Sequence, residues 1–411
     1  METMTEQINL NSLDKSSWIS YRFDQIAKSI SERVDPNKTD LEIYVGLEHL
    51  DGESIHIKKY GTPEDVKGQK LRCYPGDVIF GKRRAYQRKA AIVDFEGICS
   101  AHAMVLRANP EVIDPKLFPF FLHSDAFMHR AVDISVGSLS PTINWKTLRV
   151  QEFLLPPKDQ QAQLAELLWA MDEVVERERE VLEKLEKVKF ISNVDAFTNG
   201  KLVNRVESIR MPNDKWELLP IGEVVLEIEY GISISIPNNQ DDNGIPIIST
   251  AEIDREGRLN YSIIRKIKYD KLNERLTLKS GDVLFNWRNS IDLIGKTTVF
   301  KQPKNDNKPY TFASFILRLR CDEIRIHNKY IFQLLNFYRV IGIFTGLARK
   351  AVNQANFNKN ELRNLLIPIP PYNEQLLIMK RLNRIESMKS RLKSKLNMTK
   401  TLQKSLINQI F

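Results

Sequence analysis

The sequence predicts an α+β protein in which two similar α/β globular units are separated by two long antiparallel coiled-coil helices, giving a pseudo-two-fold internal repeat. Three observations predict it. Segments of one half recur in order in the other, each copy ends in a Pro-Pro pair, and each Pro-Pro opens a long helical pattern free of Gly and Pro. These signals divide the chain into a first globular unit at 1–157, a central long helix at 158–200, a second unit at 201–371 and a C-terminal long helix at 372–411.

The repeat begins with YPGDVIFGKRR (Tyr74–Arg84) and KSGDVLFNWRN (Lys279–Asn289). Each has a Gly-Asp turn, an alternating apolar stretch that reads as a strand, and a polar, basic tip. CSAHAMVLR (Cys99–Arg107) then matches FASFILRLR (Phe312–Arg320), again as a strand. Helical segments follow at Pro115–Val132 and Asn328–Phe344. Ile143–Gln161 and Phe357–Gln375 close the copies, each a short strand running into its prolines. Trp18 and Trp216 open the two units.

The second of these endings reads I-P-P-Y (Ile369–Tyr372), close to the Asn/Asp-Pro-Pro-aromatic loop with which amino-methylating DNA enzymes hold their target base. The equivalent stretch in the first copy is L-P-P-K, so neither has the Asn/Asp acceptor. No F-x-G-x-G or G-x-G-x-x-G loop is present either. The prolines therefore read as strand terminators placed just before a helix.

After them, Leu164, Leu168, Met171, Val175, Leu182 and Leu185 follow a three–four spacing, as do Ile378, Leu382, Ile385, Leu392, Leu396, Leu406 and Ile410. This is the seam of a coiled coil. Asp159–Asp195 carries ten acidic and five basic side chains, whereas Glu374–Lys404 carries two and nine. The opposite bias favours pairing of the two helices with each other. At 1.5 Å per residue, about 38 residues span roughly 57 Å. Trp169, one step from the seam, is assigned to a partner interface, with packing beneath its own unit as the competing reading.

At 411 residues and 42% hydrophobic, the chain can bury real cores. No apolar run approaches 18 residues and the N-terminus lacks a signal-type apolar stretch, so a soluble, unexported, cytoplasmic protein is expected, with no membrane partner. Cys73, Cys99 and Cys321 form no C-x-x-C and the six histidines no H-E-x-x-H, so no metal site is expected. The net charge of +9 permits a polyanionic partner without requiring one.

The order of P-G-D-V-I-F-G-K, the Gly137-Ser138 loop before Ile143, the L-P-P and I-P-P-Y-N-E-Q helix entries and the two long helices resembles the specificity (S) subunit of type I restriction–modification systems. The resemblance covers nearly the whole chain. It implies that the globular units are target recognition domains and that the helices are spacers binding methyltransferase subunits, two of them, and through those the restriction subunits of the full complex. It implies a bipartite double-stranded DNA target and no chemistry in this chain. No cofactor is expected on it, S-adenosylmethionine being held by the methyltransferase partner. Two departures stand out: Lys158-Asp159-Gln160-Gln161 where Glu-Gln is usual, and Gly346-Leu347 where Gly-Ser is.

Within that frame the first-unit candidates for DNA contact are Lys82, Arg83, Arg84, Tyr86, Arg88 and Lys89, with Ser138 and Ser140 of the neighbouring loop. The second-unit candidates are Asn286, Arg288 and Asn289, with Arg349 and Lys350 of a second loop. Trp287 reads equally as core. Two other readings compete: the recognition half of a methyltransferase or nuclease enzyme, and a coiled-coil scaffold that binds only protein. The acidic–lysine strings Glu183-Lys184 and Glu186-Lys187, which a nuclease reading would use, fall on the helix surface.

Overall fold

The structure is a computed structural model that describes residues 15–234, 244–268, 272–304, 306–351 and 354–411. Two compact units divide the chain: one extends to Val181 and includes Leu392–Phe411, the other is Leu182–Arg391. Each long helix therefore contributes to both, a division that no linear cut of the sequence expresses. The first helix is Lys158–Thr198 and the second Tyr372–Ile410. Among the described residues no helix is long and apolar enough to cross a membrane.

In the first unit, a four-stranded antiparallel sheet has the order Ala27–Ile30, Met104–Ala108, Val78–Phe80, Ala90–Ile92. A second sheet runs Arg33–Val34, Lys70–Cys73, Gly97–Cys99, Tyr44–Val45, its last pair parallel. In the second unit, Val225–Tyr230, Ile316–Cys321, Val283–Asn286 and Thr297–Val299 repeat the four-stranded order. Each unit also pairs its opening strand with the strand that precedes its Pro-Pro: Ile19–Arg22 with Glu152–Leu155, and Glu217–Pro220 with Leu366–Ile369.

The Gly-Asp turns have a specific physical role in both copies. Buried Asp77 accepts the Tyr74 N–H (3.0 Å) and both arms of Arg107 (2.7 and 3.0 Å). Asp282 accepts the Lys279 N–H (2.8 Å) and Arg320 (3.0 and 3.0 Å). A fork-to-fork pair ties turn to neighbouring strand and satisfies the buried carboxylate.

The helix entries repeat as closely. Gln161, buried in the first turn of its helix, accepts the Asp114 N–H (2.6 Å) and donates to the carbonyls of Val112 (3.0 Å) and Pro156 (2.9 Å). Gln375 accepts the His327 N–H (2.8 Å) and donates to Arg325 (2.9 Å) and Pro370 (3.0 Å). Both amides are fully used.

The seams close within each unit. In the first, Leu164 and Leu168 share a core with Leu406, Ile407 and Ile410 beside Phe118, Phe121 and Phe127. In the second, Met379 and Leu382 join the core that holds Phe197, Tyr330 and Phe337. Leu396 is buried, while Met171, Leu182, Ile378, Ile385 and Leu392 are half-buried. Oppositely charged partners cross between the helices as their charge bias predicts. Lys395 meets Glu178 (2.9 Å) in the first unit. Lys189 meets Glu386 and Lys389 meets Glu186 (2.6 Å) in the second, positions rising on one helix as they fall on the other. The helices are thus antiparallel within each unit.

Trp169 packs against its own unit. Its Nε1 donates to the Lys116 carbonyl (2.9 Å) and its ring lies edge-on to Phe120 (5.4 Å) and His56 (5.9 Å), which hold it against its own globular unit. Beside it, His56 Nε2 pairs with Asp172, a buried carboxylate of the first long helix that also accepts Gln403 Nε2 (3.2 Å) from the second. The hydrogen bond to Asp172 is the main cause raising the His56 pKa above its usual 6.5; burial and Lys58 oppose it, and Glu176 assists. A raised folded value makes the pair's stabilisation complete below 6.5 and lost as pH climbs through that value. Urea unfolding of the first unit is expected to show lower stability at about pH 8 than at about pH 6, and His56→Gln is expected to flatten that difference; an unchanged pH dependence in the variant would assign it to other groups.

Candidate nucleic-acid interface

The basic segment after Val78–Phe80 is a loop wrapped around a short 3-10 turn, Ala85–Gln87, flanked by Arg84 and Arg88 in the left-handed conformation (φ 59° and 55°). This geometry sorts its cations. Arg84 and Tyr86 project into solvent, Tyr86 at 55% exposure. Arg88 turns inward, pairing with Asp125 (2.7 Å) and donating to the His123 carbonyl (2.6 Å). Lys89 donates to the Leu47 carbonyl (2.6 Å). Arg88 and Lys89 therefore hold the loop in place, and the Arg88 charge, already paired with Asp125, has less to offer a phosphate than that of Arg84. The His123 Nε2 lies 2.7 Å from the Ala90 carbonyl.

The two first-unit candidate stretches come together. The Arg84 N–H donates to the Pro141 carbonyl (2.7 Å), the Ile143 N–H to the Lys82 carbonyl (3.0 Å), and Arg83 Nη2 to Ser140 Oγ (3.3 Å). Bridges join Arg83 to Thr142 and Thr142 to Val136. At the end of this loop Ser138 is exposed and Leu139 is 90% exposed.

The second unit builds the same feature as a small sheet, in which Arg288–Asn289 pairs with Gln354–Asn356 and that strand with Arg349–Ala351. Asn356 faces both Arg288 and Arg349 in register, and Ala355 faces Asn289 and Lys350. The segment read as a loop at Arg349 and Lys350 is thus a hairpin strand; residues 352 and 353 lie outside the described residues. Asn356 stands where Thr142 does, and Arg288 where Arg83 does, counting from the Gly-Asp turns and the closing strands. Both units therefore present an arginine on a three-stranded cluster at the same place in the repeat.

Asn286 is a correction. It is fully buried; its Oδ1 accepts the Arg288 N–H (3.2 Å), and its backbone is held by Ile316, Gly295 and Lys296, out of reach of any base edge. Trp287 is structural: it donates to the Ser314 carbonyl (2.7 Å) and packs on Tyr230 (5.2 Å) and Phe315 (6.4 Å). Arg288 lies 5.0 Å over the Phe315 ring, which keeps its plane oriented. Asn289 is half-buried and caps the Ser290 N–H (2.9 Å).

The long helices carry a surface that the seam pattern did not disclose. On the first helix Val174 (42%) and Val181 (47%), one heptad apart, are exposed in the first unit, and Val188 (46%) and Ile191 (57%) in the second. On the second helix Leu377 and Met388 are exposed in one unit, Met398 and Leu402 in the other. A further seven-residue apolar repeat off the seam is the signal that would have found the first-helix set. Seam residues such as Leu164, Leu168 and Leu382 are closed inside their own units and are unavailable to a partner.

Two duplicated α/β units carrying arginine-bearing clusters, joined to paired helices, form one repeated architecture, and sequence comparison gives its family. The profile described as Type I restriction modification DNA specificity domain matches residues 37–187 and 213–399, and the chain belongs to that family. It is 28% identical over 222 residues to the putative type I restriction enzyme MjaX specificity subunit of Methanocaldococcus jannaschii, covering 52% of this chain and about half (49%) of that protein. Among solved structures, it resembles one from a study of complex assembly and conformational transition of the type I R-M system, with TM-score 0.60 and 21% identity over 96% of this chain and 97% of that one. It also resembles the type I restriction–modification S subunit from M. genitalium, with TM-score 0.57 and 11% identity over 98% and 99%. These likenesses establish the fold.

The sorting of the basic loop has a direct check. Arg88→Ala is expected to lower the unfolding midpoint of the first unit by the equivalent of about 1 kcal/mol, since it removes the donor of the His123 carbonyl and the nearest cation of Asp125, whose other oxygen keeps Asn408. Arg84→Ala is expected to leave stability unchanged and weaken binding to duplex DNA severalfold. Chemical denaturation and fluorescence anisotropy distinguish the two; the reverse pattern would restore Arg88 as the DNA contact.

Proposed function

We propose that this chain is the non-catalytic specificity subunit of a type I restriction–modification complex, reading a bipartite duplex target with its two units and docking methyltransferase subunits on its helices. The observation that carries this reading is the repetition of the arginine-bearing three-stranded cluster with different side chains around it: Arg83 with Thr142 and Val136 in one unit, Arg288 with Asn356 and Arg349 in the other. An equivalent scaffold with divergent edges suits two half-sites of different sequence. Phosphate contacts set register, and side chains at the groove supply discrimination. Arg84 and the Ser138–Ser140 loop serve the first half-site; Arg288, Asn289, Arg349 and Lys350 serve the second.

The exposed apolar residues off the seam support methyltransferase docking, because a heptad-spaced row in water is stabilised by a partner helix or groove. In this reading the restriction subunits join through the methyltransferases, S-adenosylmethionine binds to the methyltransferase, and this chain holds no cofactor. Methylation is then a property of the assembly, with the adenine selected here and modified there.

Two experiments test this. Co-expression with the neighbouring methyltransferase subunit, followed by methylation mapping across the host genome, is expected to yield a split motif with a fixed gap; an unbroken motif, or no methylation from a soluble complex, would refute bipartite reading. Val174→Lys with Val181→Lys is expected to abolish co-elution of the methyltransferase while the unfolding midpoint is retained. Undiminished co-elution would move the docking face elsewhere.

A further inference from the structure

The two units differ at one place where their scaffolds are equivalent. In the second unit Trp287 closes the gap between the basic segment and the first strand of the main sheet by packing on Tyr230 and Phe315. The matching positions in the first unit are Lys82, Ser31 and His102. This match follows from shared pairings: the Ile143 N–H donates to the Lys82 carbonyl as the Phe357 N–H does to Trp287, and Ile30 faces Val105 as Glu229 faces Arg318. Three aromatics are thus replaced by an ammonium, a hydroxyl and an imidazole.

Removal of that plug leaves a notch of about 310 Å³ in the first unit. Its polar lining includes Lys82, Arg33, Lys70, Ser31, Gln69 and Asn144, and no carboxylate lines it. The adjacent Glu32 is directed away, engaged by Arg72 (3.2 Å) and the Tyr74 hydroxyl (2.7 Å). Lys70 donates to the carbonyls of Lys67 (2.5 Å) and Gly68 (3.0 Å), which fixes its charge at the wall. Among the described residues neither Lys82 nor Arg33 has a side-chain hydrogen bond or ion pair. Burial, and to a lesser degree the charge of Arg33, pulls the Lys82 ammonium below its usual pKa, as expected of a cation that lacks an anion.

We propose that this notch seats a backbone phosphate of the bound duplex, held between Lys82 and Arg33, so that the first unit grips DNA through a socket that the second unit has filled with Trp287. The proposal rests on the DNA-reading function and assigns it residues, Arg33 and Lys70, that lie on a sheet away from the basic loop. An anion completes what the lining lacks: three cations, two serines and two amides line it with no negative group among them. The position fits, because the notch opens beside Lys82 and Ile143, where the basic segment and the Ser138–Ser140 loop meet. The socket also gives the two units unequal dependence on salt, the first neutralising one phosphate more at this position.

The test measures binding of mixed-sequence duplex DNA to the complex of the full chain with its methyltransferase across a salt series. It compares wild type, Arg33→Ala, Lys82→Ala, the double variant, and Ser31→Tyr with Lys82→Trp, which rebuilds the plug. The double variant is expected to bind severalfold more weakly and to have a log–log salt slope shallower by about 0.9, the value of one phosphate. The rebuilt plug is expected to do the same, Lys82→Arg to retain wild-type behaviour, and unfolding midpoints to stay unchanged in the alanine variants. Wild-type slope and affinity in the double variant would overturn the socket while leaving the DNA reading intact. No DNA binding by the wild-type complex would overturn that reading, and the socket with it. A seat for free anion would appear as stabilisation by inorganic phosphate at constant ionic strength, lost in the double variant with DNA affinity unaffected, and would also overturn the proposal.

Discussion

The attachment of each long helix to its globular unit depends on one buried glutamine amide. Gln161 and Gln375 sit in the first turn after the Pro-Pro pair, and each uses its oxygen and one N–H on the backbone of the loop following Met104–Ala108 or Ile316–Cys321, and its other N–H on the carbonyl of the first proline of the pair. Proline removes donors at the start of the helix, and the glutamine side chain then bonds the nearby carbonyls that would otherwise be buried unpaired. Leaving one of these groups without a partner costs about 1–3 kcal/mol. A helix tethered in this way transmits the orientation of the sheet it leaves, which a flexible Gly- or Ser-rich linker would not. The Asp77–Arg107 and Asp282–Arg320 pairs act at the same end of those strands, on the Gly-Asp turn beside them. They fix the turn from which the basic segment departs.

The duplication is strict where the scaffold is concerned and loose where a ligand would touch. Sheet order, opening strand, turn carboxylate and helix-entry amide all recur. Divergence is concentrated around the ends of Val78–Phe80 and Val283–Asn286: Lys82 against Trp287, Ser31 against Tyr230, His102 against Phe315. The proposed reading of two unlike half-sites with one architecture calls for this distribution, because a substitution at a rim changes contacts while one in the core changes stability.

Much of this was legible in the sequence, for identifiable reasons. Helix limits followed from the Pro-Pro entry and the Asn199-Gly200 stop: the first helix ends at Thr198, and Asn199 takes the left-handed conformation (φ 52°). Pairing of the two helices with each other followed from the opposed charge bias. What sequence alone misjudged was the direction in which side chains point. Arg88 and Lys89 look like Arg84 in a basic string, yet two left-handed residues turn the chain so that only part of the string faces water. Asn286 belongs to a polar tip by composition, but by register it is the last residue of a central strand. Trp169 lies beside a seam, and its indole N–H finds a carbonyl of its own unit. The off-seam valines were hidden because a seam at three–four spacing draws attention from a sparser seven-residue row.

In the proposed reading, the unread gap between the two half-sites is set by the length of the paired helices. This is tested most directly by inserting one heptad into each helix where the compact units divide, after Val181 and after Arg391, and mapping the methylation motif of the resulting complex. Seven residues add about 10 Å, or roughly three base pairs. The account predicts a gap longer by about that amount with both half-sites unchanged. Altered half-sites, or an unaltered gap in a complex that still methylates, would contradict it.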